Sequence, residues 1–347
     1  MPGKRLPGMS VTRWARTPRE AAGSVGELLA GASGRQPFAS ADGKSGALFE
    51  RVTLDGAPYV VKYLRAGGDW IMRGMGDTAG WPAVAFTSGL LDLLPPSIDH
   101  AIAGVATGID ADGTGAALLM HDRGPLLVPP GDDPIGAGQH DRFIDHLAEL
   151  SACFHGWTDD VGLAPHPARW VVWGDGMLAG EAARGWPNPL PRIIAEGWAR
   201  FAEIAPADVR DAVAALRADL TPVTAAVRAT PPTLVHGDWK LGNLGSHPDC
   251  RTVLLDWAGV GEGPACHDLA WYLALNRARL PVPKETVITA FQDRLAAHGL
   301  DTSTWFERQL GLCLLGAVIQ FGWEKALGDP AELGWWCDRA REGARLV

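Results

Sequence analysis

The run Leu234-Val235-His236-Gly237-Asp238-Trp239-Lys240-Leu241-Gly242-Asn243 decides how this chain is read. An apolar strand end, Thr233 to His236, delivers Asp238 into a polar loop, and Asn243 returns five positions later. A second short β-like run, Thr252 to Asp256, delivers a second carboxylate at its end. Further on comes Asp268-Leu269-Ala270-Trp271-Tyr272, which adds another aspartate.

Two carboxylates and one amide, set in loops by strand ends, form the donor set that phosphoryl transfer needs. One carboxylate orients an attacking hydroxyl and takes its proton. An amide oxygen and a second carboxylate hold a hard divalent ion against nucleotide phosphates. The rest of that chemistry is positioning and charge neutralisation. Taken jointly, His236-Gly237-Asp238 with Asn243, then Asp256, then Asp268-Leu269-Ala270 resembles the catalytic motif of the aminoglycoside phosphotransferase and choline kinase-like family. The resemblance spans roughly residues 38–275.

It implies an α+β, two-lobed protein-kinase-like fold. Residues 1–120 would form a small β-rich, nucleotide-binding N-lobe, and residues 121–347 a larger, mainly helical C-lobe with the catalytic loop and acceptor pocket. Asp238 would be the catalytic base, and Asn243 and Asp256 would bind Mg²⁺. His236 would order the loop, and Asp268 would anchor its backbone from a helix start. Lys240 has two readings, a cation reaching the γ-phosphate and a solvent-facing loop lysine. Lys62, in Val60-Val61-Lys62-Tyr63, resembles the strand lysine that contacts the α- and β-phosphates in kinase folds. The loop Ser40 to Gly46 would cover the phosphates, with backbone N–H groups from Ser45 and Gly46, and it lacks the leading glycine of a Walker A loop. Leu118 to Asp122 resembles the hinge between lobes, where Met120 and Asp122 would lie against adenine. The nucleotide, ATP or GTP, is a co-substrate in this reading.

One departure stands out. Kinase-like folds pair the strand lysine with a glutamate on the next helix, but no glutamate lies between Lys62 and the hinge. Asp69 or Asp77 could serve, or Lys62 could be held another way. The absence of His-Arg-Asp, Asp-Phe-Gly and Ala-Pro-Glu patterns argues against a protein kinase and for a small-molecule hydroxyl acceptor. The alternative is a catalytically weak, kinase-like nucleotide-binding module that acts as a sensor or partner.

Around this motif the pattern is that of a globular chain. Residues 47–54 and 59–64 read as two strands joined by Asp55-Gly56-Ala57-Pro58. Residues 18–30, 84–94, 190–204, 206–228, 284–298 and 303–327 read as helices, the last strongly apolar. Of 347 residues, 47% are hydrophobic, enough to bury a sizeable core. Five cysteines without a CxxC pair read as reduced thiols of a cytoplasmic protein. The start of the chain carries no signal-peptide pattern, and no stretch has the roughly 20 apolar residues of a membrane span.

Charge is uneven. Residues 1–120 hold 11 Lys/Arg and 11 Asp/Glu, and the remainder holds 20 and 29. An acidic second half disfavours nucleic acid and favours a cationic acceptor such as an aminoglycoside or amino sugar. Asp159, Asp160, Glu262, Glu324 and Asp338 are candidates to hold it, with Trp271, Trp323, Trp335 and Trp336 to stack on it. Oligomeric state has no signature in the sequence.

Overall fold

The computed structural model describes residues 13–39 and 45–347. A single turn, α1 (Val25–Leu28), is capped by Ser24, whose hydroxyl accepts from Glu27 N. It is all that forms of the helix expected over residues 18–30. The backbone before it finds partners elsewhere: Arg19 N donates to Thr87 O, and Ala22 N to Val105 O.

Six strands follow: β1 (Ser33–Phe38), β2 (Leu48–Leu54), β3 (Ala57–Leu64), β4 (Ile98–Asp99), β5 (Ile102–Thr107) and β6 (Ala116–His121). Five make one antiparallel sheet in the order β1-β2-β3-β6-β5. The β2–β3 turn has Asp55 and Gly56 at φ 49° and 78°, the geometry that matches strand twist in a two-residue hairpin. Alternation along β3 then sorts its side chains. Val61 joins Leu29, Val52, Ala106, Ala117 and Leu119 in a small cluster on one face. Leu64 and Lys62 turn to the other face, where Leu64 enters the main core.

Between β3 and β4 lie α2 (Trp70–Met75) and α3 (Trp81–Thr87), then a 3₁₀ turn over Leu90–Leu93. The helix expected over 84–94 breaks at Gly89. Its φ is 74°, and a Cβ there would sit 2.3 Å from Thr17 O, so chain crossing decides the break.

The helical part comprises α4 (Ala137–Cys153), α5 (His166–Val171), α6 (Asp175–Ala183), α7 (Leu190–Ile204), α8 (Ala207–Ala218) and α9 (Thr221–Arg228). After the site strands come α10 (Cys266–Leu275), α11 (Lys284–Ala297), α12 (Phe306–Ala326) and α13 (Pro330–Ala344). The segment expected as one helix over 206–228 is two, parted at Asp219 and Leu220, with Pro222 in the first turn of α9. Helix α12 is buried nearly all round, as its unbroken apolar run requires. Each of its buried Leu, Ile or Phe side chains stabilises the fold by about 1.5–3 kcal/mol.

Two small sheets join these parts. β7 (Pro232–Val235) pairs with β10 (Gly261–Pro264). β8 (Leu244–Ser246) pairs with β9 (Thr252–Leu254), which lies parallel to β4. Among the described residues no helix is long and apolar enough to cross a membrane. The mixed α+β architecture with a β-rich first part and a helical second part is the one the sequence implies.

Candidate active site

β7 feeds straight into His236-Gly237-Asp238, and two features fix that loop. Gly237 has φ 82°, and a Cβ on it would lie 2.4 Å from Gly259 O, so the loop crosses the turn after β9 backbone to backbone. From α10, Asp268 accepts from His236 N at 2.7 Å and Gly237 N at 2.8 Å. Burial pushes the Asp268 carboxyl up to about 6, against the pull of those two N–H groups and of Arg169. His236 lies beneath the loop, fully buried, with its Nδ1 accepting from Asp238 N at 3.2 Å. Burial lowers it to about 3, so its imidazole is neutral.

Asp238 gathers donors from three residues. Its Oδ2 accepts from Lys240 Nζ at 2.8 Å and from Asn243 Nδ2 at 2.7 Å. Its Oδ1 accepts from Trp271 Nε1 at 2.8 Å. Asn243 Nδ2 also donates to the Asp238 carbonyl at 2.9 Å, closing the loop on itself. Burial raises the Asp238 carboxyl and Asp256 adds to the rise, while Lys240 and Asn243 oppose it.

Asp256 follows β9 in a left-handed backbone conformation, φ 62°. Its carboxylate is 37% exposed and meets Lys62 Nζ at 2.7 Å. Burial works to raise this carboxyl, but Lys62 and then Lys240 outweigh it and hold it low. Lys62, with only 9% of its side chain exposed, therefore has a carboxylate partner, and it is neither Asp69 nor Asp77. Asp69 instead caps α2, accepting from Ile71 N and Met72 N, and Asp77 accepts from Gly80 N and Trp81 N.

The donor set suits a hard divalent ion. Leu255 N donates to Asn243 O at 2.9 Å, which ties the Asp256 turn to the Asn243 loop. Both amide N–H contacts of Asn243 go to Asp238, which leaves its Oδ1 as an acceptor. Among the described residues no group of three or more His, Cys, Asp or Glu could hold a metal. A carboxylate and an amide oxygen are oxygen donors of the kind a hard divalent cation prefers.

The remaining expected residues are placed as follows. Residues 40–44 of the phosphate loop lie outside the described residues. Ser45 O accepts from Trp70 N at 3.1 Å, and Gly46, φ 93°, leaves no room for a Cβ against Gly68 O. Met120 lies in β6 opposite Val60 and Ile102. Asp122 N donates to Pro58 O, and its Oδ1 accepts from Gly124 N, which turns the chain out of the sheet.

The five acidic residues expected to hold a cation all have partners of their own. Asp160 pairs with Arg16, Glu324 with Lys325 and Asp338 with Arg341. Asp159 accepts from Val161 N, Gly162 N and Leu163 N, and Glu262 from Asp159 N. Trp335 and Trp336 donate to Glu285 and Glu332, away from the loop, and Trp323 is buried in the core.

Two contacts were not part of the sequence reading: Arg169 had no place in it, and Trp271 entered only as a ring for the acceptor, not as a donor to the loop. Arg169, 1% exposed, donates to Gly259 O, Glu262 O and Ala164 O, bracing the turn that Gly237 crosses. Nothing in its local sequence announces it. Trp271 sits three residues after Asp268 on α10, and that i,i+3 spacing is the signal that both side chains face one loop.

Residues 88–305 match the phosphotransferase enzyme family. No curated relative matches the chain in sequence. Among solved structures, the chain is similar to a microcompartment-associated aminopropanol kinase, at 12% identity over 90% of both chains and a TM-score of 0.50. It is also similar to the choline kinase LicA from Streptococcus pneumoniae, at 12% identity over 93% of this chain and 96% of the other, TM-score 0.48. The aminoglycoside phosphotransferase APH(3'')-Id from Streptomyces rimosus aligns at 16% identity over 89% and 93%, TM-score 0.42. At 12% identity the likeness to the aminopropanol kinase is one of fold.

Proposed function

The chain belongs to the phosphotransferase enzyme family, and from that premise we propose that it moves the γ-phosphate of ATP to a hydroxyl of a small, amine-bearing acceptor. The observation that carries this reading is the pair of aspartates with opposed environments. Asp238 is buried among donors and raised, and Asp256 is held low by Lys62 and Lys240.

In this reading Asp238 accepts the proton of the acceptor hydroxyl, which lies within hydrogen-bond reach when bound. Asn243 Oδ1 and Asp256 hold Mg²⁺. Bound there, the ion would supply charge neutralisation at the phosphates. Lys62 reaches the phosphates from β3, and Lys240 offsets charge that develops on the transferred group. His236, Asp268 and Arg169 keep the loop in place without touching substrate.

Support for an amine-bearing acceptor is the acidic balance of residues 121–347. The aminopropanol kinase of like fold has by its name an amino alcohol as acceptor.

The test is a transfer screen with ATP and Mg²⁺ against amino alcohols, amino sugars, choline analogues, aminoglycosides and nucleosides, with mass detection of product. A phosphorylated amine-bearing alcohol, lost on chelation of the metal, is expected. Metal-dependent ATP binding with no product from any member would overturn transfer and leave a nucleotide-binding module.

A further inference from the structure

Trp271 is a hydrogen-bond donor to the Asp238 carboxylate. Its ring is 9% exposed and is fixed edge-on by Phe321 of α12, with centroids 4.8 Å apart at 81°. From that fixed position its Nε1 donates to Asp238 Oδ1 at 2.8 Å. The indole has one N–H and no acceptor, so this bond is its whole polar capacity.

A carboxylate has about four acceptor positions, two on each oxygen. On Asp238, Oδ2 is filled by Lys240 and Asn243. Among the described residues Oδ1 takes Trp271 alone. The acceptor position still open is therefore on Oδ1, the oxygen that Trp271 holds.

We propose that Trp271 is a positioning residue for the transfer reaction, fixing Asp238 so that Oδ1 receives the hydroxyl proton. The step is then specific. The acceptor O–H proton passes to Oδ1, and the acceptor oxygen bonds to the γ-phosphorus. The bond from that phosphorus to the bridging oxygen breaks, its electron pair leaving on the nucleoside diphosphate. Asp268 and Trp271 give α10 a double task, one side chain holding the loop backbone and the next turn aiming the carboxylate. This proposal rests on the function proposed above, and the experiment separates the two.

Wild type, Asp238→Ala, Trp271→Phe and Trp305→Phe are compared with ATP and Mg²⁺, using 1-amino-2-propanol, choline and streptomycin as acceptor probes. Trp305, whose indole donates to Asp301 O and, among the described residues, makes no hydrogen bond to the loop, controls for loss of a buried indole N–H. Trp271→Phe should lose about 10- to 100-fold in kcat, the scale of one hydrogen bond to a charged group. KM for ATP and acceptor should stay within about twofold, and Trp305→Phe should keep full kcat. In ¹H–¹⁵N spectra, the indole signal absent from Trp271→Phe should move upfield in Asp238→Ala. Absence of turnover in wild type with these probes and with every member of the acceptor screen refutes the enzymatic reading, and the indole signal then decides the contact by itself. An indole signal indifferent to Asp238→Ala, or Asp238-dependent turnover that Trp271→Phe leaves intact, overturns the role of Trp271.

Discussion

The loop after β7 and the turn after β9 each end in an aspartate, and they treat it in opposite ways. Asp238 draws its donors from its own side of the molecule, Lys240 and Asn243 within the loop and Trp271 from α10. Asp256 draws its main partner from the N-terminal sheet, where Lys62 lies 194 residues away in sequence. Burial leads in both. It wins at Asp238, which is raised, and loses at Asp256, which two lysines hold down. Environment, not residue type, separates a group suited to take a proton from one suited to stay an anion beside a cation.

Removing the anionic side should break this contrast with the largest effect short of losing the base itself. Asp256→Asn leaves Lys62 without its carboxylate and takes one oxygen charge from the proposed metal site. Magnesium-dependent ATP binding by calorimetry should weaken strongly, and kcat/KM should fall by at least about a hundredfold. Binding that stays as tight and as metal-dependent as in wild type would contradict the role given to Asp256.

That contrast marks what the sequence could tell. The placing of Asp238, Asn243 and Asp256 in loops at the ends of short strands was legible, because β7, β8 and β9 and the short segments between them set that spacing locally. The partner of Lys62 was not, since a contact between β3 and the turn after β9 leaves no local pattern, and the nearest acids, Asp69 and Asp77, serve as caps instead. The sequence singled out Trp271 as a ring for the acceptor and gave no sign of its bond to Asp238, because the direction of an indole N–H is a matter of packing. Strand β1 has an exposed, polar sequence with Pro37 near its end, so neither alternation nor propensity announces it. Helix α12 was legible within a few residues because an apolar run of that length has one use.

A second bridge between sheet side and helical side sharpens the comparison. Arg73 of α2 meets Glu181 of α6 at 2.7 Å, with the glutamate side chain 5% exposed. Unlike Lys62 and Asp256, this pair faces no proposed ligand, so its loss should register in stability. Arg73→Ala leaves the buried carboxylate, among the described residues, with only Arg184 at 4.0 Å, removes two bonds to Ala66 O and Gly67 O, and should cost about 3 kcal/mol in denaturant unfolding. A cost below about 1 kcal/mol would mean that water or another cation takes over.

Buried groups outside the site give a smaller, pH-dependent effect. His166 and His267 lie 5.8 Å apart, and burial holds both well below the ordinary histidine range, with Arg169 adding to it. The unfolded chain protonates these imidazoles below about pH 6.5 and the folded chain does not, so their stabilisation is present above that pH and fades as pH falls. Asp268 works in the other sense. It is raised to about 6, and its contribution fades as pH rises from about 4 through 6. His166→Phe should shift the acid-unfolding midpoint, followed by tryptophan fluorescence, to lower pH; an unmoved midpoint would contradict the assignment. Smallest of all, Arg192→Ala removes an exposed i,i+4 pair with Glu196 and should change stability by no more than about 0.5 kcal/mol.

The most direct measurement compares Asp238→Ala with wild type in a single-turnover assay of γ-phosphate transfer, with ATP affinity measured on the same samples. Transfer should fall by about 10²- to 10⁴-fold, the range for a positioned general base, while metal-dependent ATP affinity stays within about threefold. Transfer at the wild-type rate without that carboxylate would contradict the account.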